Sequence, residues 1–158
     1  MILPDHMLRA IRTDGQHIVE PFVERTVQHG MSFGLSGAGY DVRCKQQVVL
    51  PPHGFALVST VERFIMPNDV IGIVHDKSTW ARRGLSVYNT VIEAGWAGWL
   101  TVELANQGSE TLFIAAGDPI AQVLFHQLAA PVEAVYRGKY QDQPDEPVAA
   151  REEVGGAP

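Results

Sequence analysis

Two short stretches of the sequence carry side chains whose types suit work on a nucleotide. Residues 77–82, Lys-Ser-Thr-Trp-Ala-Arg, hold two cations and two hydroxyls, and all four groups can donate hydrogen bonds to phosphate oxygens. Glu103 lies within a largely apolar, strand-like run, where an unpaired charge is costly. Together the two stretches predict a nucleotide site with an acid–base residue.

Each stretch has a simpler interpretation when the residues are taken alone. Residues 77–82 could form a solvated basic turn, and their spacing favours neither interpretation over the other. Glu103 could face solvent beside Thr101 on the polar side of an alternating strand, which period-2 alternation favours. The sequence also lacks the Gly-rich loop of Walker-type nucleotide enzymes, so both alternatives stay open at this point.

Composition bounds the class of protein. The chain has 158 residues, 46% of them hydrophobic, which suffices for the core of one domain. A net charge of −6 argues against nucleic acid as a partner, because duplex-binding proteins present a dominant basic surface. The single cysteine, Cys44, excludes an internal disulfide and the cysteine-rich site of zinc-dependent deaminases. The histidines show no metal-ligand spacing, and we expect no catalytic metal.

The sequence gives no signal for export or membrane insertion. The amino terminus shows no basic segment followed by an apolar one, and no apolar run approaches the roughly 20 residues that span a bilayer. A single cysteine makes a reducing compartment the default expectation. We therefore expect a cytoplasmic protein without a membrane partner.

The pattern of apolar runs and turns predicts a mainly β protein. Pro4 and Asp5 begin a short amphipathic helix, which Asp14 and Gly15 are expected to end. From about Ile18 onward the runs are short and strand-like, and turn residues separate them. Many short strands of this kind are typical of a barrel or a sandwich. The clearest strand candidates are residues 48–50, 55–58, 70–74, 100–104, 112–114 and 120–125.

Composition also divides the chain at residue 143. Residues 1–143 hold the predicted strands and are expected to form one domain, with one or two helical turns over residues 79–83. Residues 144–158 are rich in Pro, Gly and acidic side chains and have too little apolar surface to fold alone. The sequence therefore predicts a disordered carboxy-terminal tail.

Six motifs along the chain add to these single residues. They are residues 39–43 (Gly-Tyr-Asp-Val-Arg), 77–84 (Lys-Ser-Thr-Trp-Ala-Arg-Arg-Gly), 96–98 (Trp-Ala-Gly), 101–106 (Thr-Val-Glu-Leu-Ala-Asn), 120–122 (Ile-Ala-Gln) and 138–143 (Gly-Lys-Tyr-Gln-Asp-Gln). In this order they resemble the dCTP deaminases, a family within the trimeric dUTPase-like superfamily. The resemblance covers most of residues 1–143. It implies a distorted β jelly roll that assembles as a homotrimer with active sites shared between subunits.

The resemblance implies hydrolytic loss of ammonia from C4 of the cytosine of dCTP, which yields dUTP. Glu103 would be the general base that activates water, and partly apolar surroundings can raise the pKa of such a carboxylate. Ser78 would lie near the base and the reacting water, and Arg82 near the base edge and the phosphates. The substrate contacts that the resemblance implies are Lys77, Thr79, Trp80, Ala81, Glu93, Thr101, Val102, Gln122, Tyr136, Lys139 and Gln143.

Two of these roles are more specific. Lys77 and Thr79 would hold the triphosphate, which Mg²⁺ would accompany. The carboxy-terminal segment that contains Tyr136, Lys139 and Gln143 would close over the nucleotide and exclude water. Asp41, by contrast, is expected to be structural and bonded to backbone or to an arginine.

Two alternatives to deamination remain. Glu93 corresponds to an acid that lies near the sugar in relatives and that in dUTPases orients the water attacking phosphorus. The chain could therefore be a dUTP diphosphatase, or a bifunctional enzyme that carries dCTP through to dUMP. It could also be a catalytically silent trimer that retains the fold and senses nucleotides or binds a protein. The expected nucleotide partner is dCTP, with dUTP or dTTP as alternatives. Glu103 together with Ser78 and Arg82 favours activity, and the lack of an Ala-Gly-x-Ile-Asp sequence favours deamination.

Overall fold

Short strands dominate the part of the chain that this computed structural model describes, residues 1–152. The helices are α1 (Asp5–Ala10) and α2 (Ser78–Ala81). The mainly β fold expected from the sequence is confirmed. Within residues 1–152 no helix has the length and apolar character needed to cross a bilayer. The strands are β1 (Arg12–Thr13), β2 (Gln16–His17), β3 (Val19–Glu20), β4 (Thr26–Gln28), β5 (Met31–Ser36), β6 (Gly39–Arg43), β7 (Val48–Leu50), β8 (Phe55–Ile65), β9 (Val70–Asp76), β10 (Leu85–Val87), β11 (Val91–Ile92), β12 (Ala97–Asn106), β13 (Leu112–Ile114) and β14 (Pro119–Gln127).

The amino-terminal helix is shorter than predicted. It ends at Ala10, and Asp14 and Gly15, which were expected to end it, form the two-residue turn of the β1–β2 hairpin. Asp14 has a φ of 51° and Gly15 a φ of 78°, the positive values that a type I′ turn requires at both positions. The prediction was wrong here because glycine after an apolar stretch marks both helix ends and hairpin turns.

Two antiparallel sheets form the body of the domain. One has the strand order β10-β12-β8-β3 and the other the order β11-β9-β14-β6-β5-β4, while β1-β2 and β13-β7 form two small pairs. Phe64 of β8 and Phe125 of β14 are fully buried, and their ring centroids lie 6.4 Å apart. Aromatic contact of this kind joins the inner faces of the two sheets and fills the core between them.

Alternation along β12 decides which of its side chains leave the core. Val102 and Leu104 face inward and are 1% and 0% exposed. Because successive strand residues point to opposite faces, Thr101 and Glu103 project from the outer face of the four-stranded sheet. A bulge interrupts the pairing of β12 with β8 between Trp99 and Thr101. Bulges re-aim neighbouring side chains, and this one lies directly before the two polar residues of the outer face.

Candidate active site

A cavity of about 450 Å³ lies on this outer face. Strands β8 and β12 form its floor, residues 90–96 contribute one side, and the carboxy-terminal segment between residues 136 and 150 contributes another. Apolar side chains dominate the lining, and the polar groups among them include Glu103, Glu93, Thr101 and Gln143. A largely apolar cavity with a few convergent polar groups is the usual form of a small-molecule site.

Glu103 lies on the floor of this cavity in partly apolar surroundings. It pairs with Leu57 of β8 across the sheet, and burial raises the pKa of its carboxyl. Its Oε2 is buried and has no hydrogen-bond partner among residues 1–152. A half-buried carboxyl with an unused acceptor and a raised pKa is suited to exchanging a proton with a bound ligand. The alternative in which Glu103 simply faces bulk solvent is therefore wrong.

Thr101 and Gln143 form a hydrogen-bonded pair beside Glu103. The Thr101 hydroxyl donates to Gln143 Oε1 at 3.1 Å, and the Thr101 backbone N–H donates to the same oxygen at 3.3 Å. The backbone N–H of Val148 in turn donates to Thr101 Oγ1 at 2.9 Å. These bonds tie the carboxy-terminal segment to the floor of the cavity.

Aromatic side chains hold the carboxy-terminal segment against the domain. The indole Nε1 of Trp96 donates to the carbonyl oxygen of Tyr140 at 2.6 Å. The Tyr136 backbone N–H donates to the carbonyl oxygen of Ala94, and its hydroxyl accepts a bond from the Tyr140 backbone N–H at 3.2 Å. Lys139 lies with its ammonium 5.4 Å from the centroid of the Tyr140 ring. Tyr136 and Gln143 thus line the cavity, whereas Lys139 flanks it.

The first residues of the predicted tail continue along the same cavity. Val148 and Ala150 line it, the Arg151 backbone N–H donates to the Tyr140 hydroxyl at 3.0 Å, and Asp145 forms an ion pair with Lys45. The rest of the predicted tail, residues 153–158, lies outside the described residues. The domain boundary at residue 143 stays a prediction.

The second predicted stretch lies around α2, away from this cavity. Lys77 is buried and its ammonium donates to Asp41 Oδ2 at 2.8 Å. Burial raises the pKa of the Asp41 carboxyl, and the Lys77 ammonium opposes that rise. Trp80 is buried and donates from its indole to the carbonyl oxygen of Pro119 at 2.8 Å. Asp41 is structural, as expected, but its partner is a lysine and not backbone or an arginine.

The remaining side chains of this region face outward. Ser78, Ala81 and Arg82 are exposed, and Thr79 is half-buried. Gln122 of β14 lies opposite Asp41 in the sheet and donates to the hydroxyl of Ser36 at 3.2 Å. The basic and hydroxyl groups of α2 thus share one end of the six-stranded sheet with the amide of Gln122.

Within one chain the structure therefore divides the predicted site residues into two groups. Glu93, Thr101, Glu103, Tyr136 and Gln143 line one cavity. The side chain of Val102 points into the core, which leaves only its backbone for a ligand. The predicted residues that do not line the cavity are Lys77, Ser78, Thr79, Trp80, Ala81, Arg82, Gln122 and Lys139. Among residues 1–152, no three His, Cys, Asp or Glu side chains lie together as metal ligands would.

Sequence reasoning missed several lining residues. Phe55 and Leu57 reach the cavity because they alternate outward on β8 and β8 pairs with β12. Val148 and Ala150 reach it from the predicted tail. The alternation of Phe55 and Leu57 was a readable signal, but the register that brings them beside Glu103 joins positions more than 40 residues apart and leaves no local trace.

Comparison with solved structures identifies the class of fold. A native dUTPase of EIAV aligns with a TM-score of 0.57 over 77% of this chain and 96% of its own, at 19% sequence identity. A dUTPase of the Staphylococcus aureus phage phi11 aligns with a TM-score of 0.56 over 76% of this chain and 93% of its own, at 21% identity. The fold is therefore of the dUTPase type, which confirms the fold class expected from the resemblance.

Sequence comparison then identifies the family. Residues 41–128 match the family model described as dCTP deaminase-like. The dCTP deaminase of Campylobacter fetus is 38% identical over 159 residues, which covers 80% of this chain and 86% of the relative. That of Thermococcus sibiricus is 34% identical over 148 residues, which covers 89% of this chain and 92% of the relative. The chain belongs to the dCTP deaminase-like family, as its motifs predict.

Proposed function

We propose that this protein is a dCTP deaminase, an enzyme that hydrolyses dCTP to dUTP and ammonia. The observation that carries the proposal is the state of Glu103, whose carboxyl is half-buried, has a raised pKa and keeps one oxygen without a partner among the described residues. The cavity around it has the volume expected of a small-ligand site. The relatives named dCTP deaminase, at 33–38% identity, add independent support.

The chemistry assigns Glu103 two proton transfers. In its ionised form it accepts a proton from a water molecule as the water oxygen forms a bond to C4 of the cytosine. It then gives this proton to N3 of the ring, which yields a tetrahedral intermediate that carries both the hydroxyl and the amino group. Transfer of the hydroxyl proton to the amino group lets the C4–N bond break, and ammonia and dUTP leave.

The proposal includes a homotrimer in which α2 of one copy completes the cavity of the next. Ser78 at the start of α2 and Arg82 directly after its end are exposed and do not line the cavity of their own chain, so a second copy can use them. Phe55 and Val91 line the cavity and are 58% and 50% exposed, and Tyr88, which is 51% exposed, packs edge-on against the Phe55 ring. Exposed apolar side chains of this kind suit contact between subunits. Arg82 and Thr79 then bind the triphosphate.

Mg²⁺ enters this scheme as part of the substrate, bound to the triphosphate oxygens. That is its usual mode in nucleotide enzymes, where it keeps several waters and bridges phosphates. A dUTPase variant of phage phi11 with this fold was solved with a structural Mg(II) ion, and it aligns with a TM-score of 0.56. We also assign the enzyme to the cytoplasm, which suits the free thiol of Cys44.

A second candidate function rests on Glu93. This residue lines the same cavity as Glu103 and is exposed, so it could orient a water molecule toward phosphorus instead of carbon. The enzyme would then release pyrophosphate from dUTP, either alone or after deaminating dCTP.

One assay separates these candidates. Purified protein is incubated with dCTP or with dUTP in the presence of Mg²⁺, and ammonia and pyrophosphate are measured separately. Deamination predicts ammonia from dCTP and no pyrophosphate from either nucleotide. Pyrophosphate from dUTP would support the Glu93 reaction, and bound nucleotide without any product would contradict both enzymatic functions.

A further inference from the structure

The amide of Gln143 can take only one orientation in this structure. Its Oε1 accepts from both the hydroxyl and the backbone N–H of Thr101, and both residues are 7% exposed. A backbone N–H can only donate, so the atom of Gln143 that faces it has to be the oxygen. The reversed amide would bring its NH₂ group against this donor and leave a buried polar group unsatisfied.

The direction of the Thr101 hydroxyl is fixed in the same way. The backbone N–H of Val148 donates to Thr101 Oγ1 at 2.9 Å, so the oxygen accepts from the carboxy-terminal segment. Its own hydrogen is then directed to Gln143 Oε1 at 3.1 Å. The order of donors runs from Val148 through Thr101 to Gln143, and each end of this chain of bonds is anchored by backbone.

This order leaves the Gln143 Nε2 group for the ligand. Both of the hydrogen bonds that Gln143 makes through its side chain within residues 1–152 use Oε1, and the residue lines the cavity that holds Glu103. Since the amide oxygen and nitrogen diverge from the same carbon, fixing Oε1 at Thr101 leaves Nε2 as the group that Gln143 offers outside this pair. Gln143 therefore meets a bound molecule as a donor and not as an acceptor.

We propose that Thr101 is a positioning residue that sets the amide of Gln143 as a donor toward the pyrimidine edge. The inference rests on the proposed function, because it takes a pyrimidine nucleotide as the ligand. It assigns to the base an acceptor atom, a ring carbonyl oxygen or an unprotonated ring nitrogen, opposite Gln143 Nε2. It also makes the carboxy-terminal segment part of base recognition, since the Val148 N–H orients the hydroxyl that orients the amide.

A double-mutant cycle tests whether Thr101 acts through Gln143. Affinities for dCTP and for dUTP are measured by calorimetry for the wild type, Thr101→Val, Gln143→Met and the double variant. Thr101→Val keeps the side-chain shape and removes the hydroxyl, and we expect it to weaken binding roughly threefold to tenfold. In the Gln143→Met background the same change should cost less than about twofold, because the amide that it orients is gone.

Two further variants keep the result interpretable. Thr101→Ser retains the hydroxyl and should recover most of the affinity lost in Thr101→Val. Val148→Pro removes the N–H at the start of the relay, and it should weaken binding more than Val148→Ala, which keeps that N–H. Thermal unfolding of each variant identifies losses that come from misfolding. Equal losses from Thr101→Val in both backgrounds, or no loss in either, would overturn the inference.

The proposed function is tested separately in the same preparations. Ammonia release from dCTP by the wild type decides the reaction, whereas the cycle decides the role of Thr101 from binding alone. Coupling between Thr101 and Gln143 without ammonia release would retain the inference and reject the deaminase. Ammonia release together with additive effects at the two positions would retain the deaminase and reject the inference about Thr101. A wild type that binds neither nucleotide would reject both.

Discussion

The cavity around Glu103 and the surface around α2 differ in whether a buried charged group has a partner. In the cavity, Glu103 Oε2 is buried without a hydrogen-bond partner in the described part of the chain, and burial raises the pKa of the carboxyl. At α2, the buried ammonium of Lys77 is neutralised by Asp41 at 2.8 Å. A buried polar group without a partner is costly, so one that persists next to a cavity indicates a ligand. A buried pair that satisfies itself indicates a role in holding the fold.

This difference changes the interpretation of the two stretches. Lys77 was predicted to hold the triphosphate, but in this chain its ammonium anchors the start of α2 to β6. The exposed side chains that follow, Ser78 and Arg82, are the ones that α2 offers to another molecule. The role of Lys77 at the triphosphate stays a prediction, and the structure favours Arg82 as the more accessible cation.

The largest effect is expected from removing the charge of Glu103. Glu103→Gln keeps the shape of the side chain but cannot accept a proton, so ammonia release should fall by roughly 10²–10⁴-fold. Affinity for dCTP should change little, because the amide keeps the size and shape of the side chain. Steady-state ammonia release and calorimetric binding measure the two quantities. Glu110→Gln, at an exposed position on the turn after β12, is the matched control.

The buried ion pair of Lys77 and Asp41 beside α2 predicts a large effect on stability. Asp41→Asn leaves the Lys77 ammonium buried without a counter-charge, and the free energy of unfolding should fall by about 3–5 kcal/mol. The exposed pair of Arg9 and Glu24, with atoms 2.7 Å apart, supplies the control. Glu24→Gln should cost far less than that, because water screens the exposed pair. Denaturant titration of both variants checks the contrast, and equal losses would remove the distinction between the two pairs.

The smallest effect concerns the cost of keeping Glu103 in the cavity. Folding raises the pKa of the Glu103 carboxyl above its ordinary value of 4.5. At a pH between the unfolded and the folded pKa, the folded state therefore holds a proton that the unfolded chain has already released. Stability therefore decreases as the pH rises through the interval between the two pKa values, and the loss persists above it.

Glu103→Gln removes this cost, so its melting temperature should exceed that of the wild type near neutral pH. The difference should vanish below the ordinary pKa of glutamate, where both states are protonated. Thermal unfolding at about pH 4 and about pH 7 measures it. A Glu103→Gln variant that melts lower at neutral pH would show that the carboxylate stabilises the fold.

The mainly β fold and the importance of Glu103 were readable in the sequence, whereas other features were not, for physical reasons. Glu103 stood out because an unpaired charge in an apolar run is costly. The inward-facing Val102 and Leu104 place Glu103 on the outer face of the sheet. The partner of Lys77 could not be found in this way, since Asp41 is 36 residues away and only the sheet brings them together. The turn at Asp14 was misassigned because its local signal has two meanings.

The carboxy-terminal segment shows a second limit of sequence reasoning. Residues 144–152 are polar and rich in proline, and composition alone predicts that they stay unfolded. Yet the described residues of this segment contact the domain through single anchors, the ion pair of Asp145 with Lys45 and the bonds of Val148 and Arg151. Contacts made one residue at a time with an existing cavity leave no periodic pattern in the sequence.

The proposed active site joins Glu103 of one chain to α2 and Arg82 of another. Co-expression of Glu103→Gln with Arg82→Ala tests it most directly, because each variant alone lacks a different half of every site. In a shared site, a random mixture restores some intact sites, and ammonia release from dCTP should reach roughly a quarter of the wild-type rate. If the mixed protein releases no more ammonia than the two variants do separately, the site is not shared and the proposed trimer with joint active sites is contradicted.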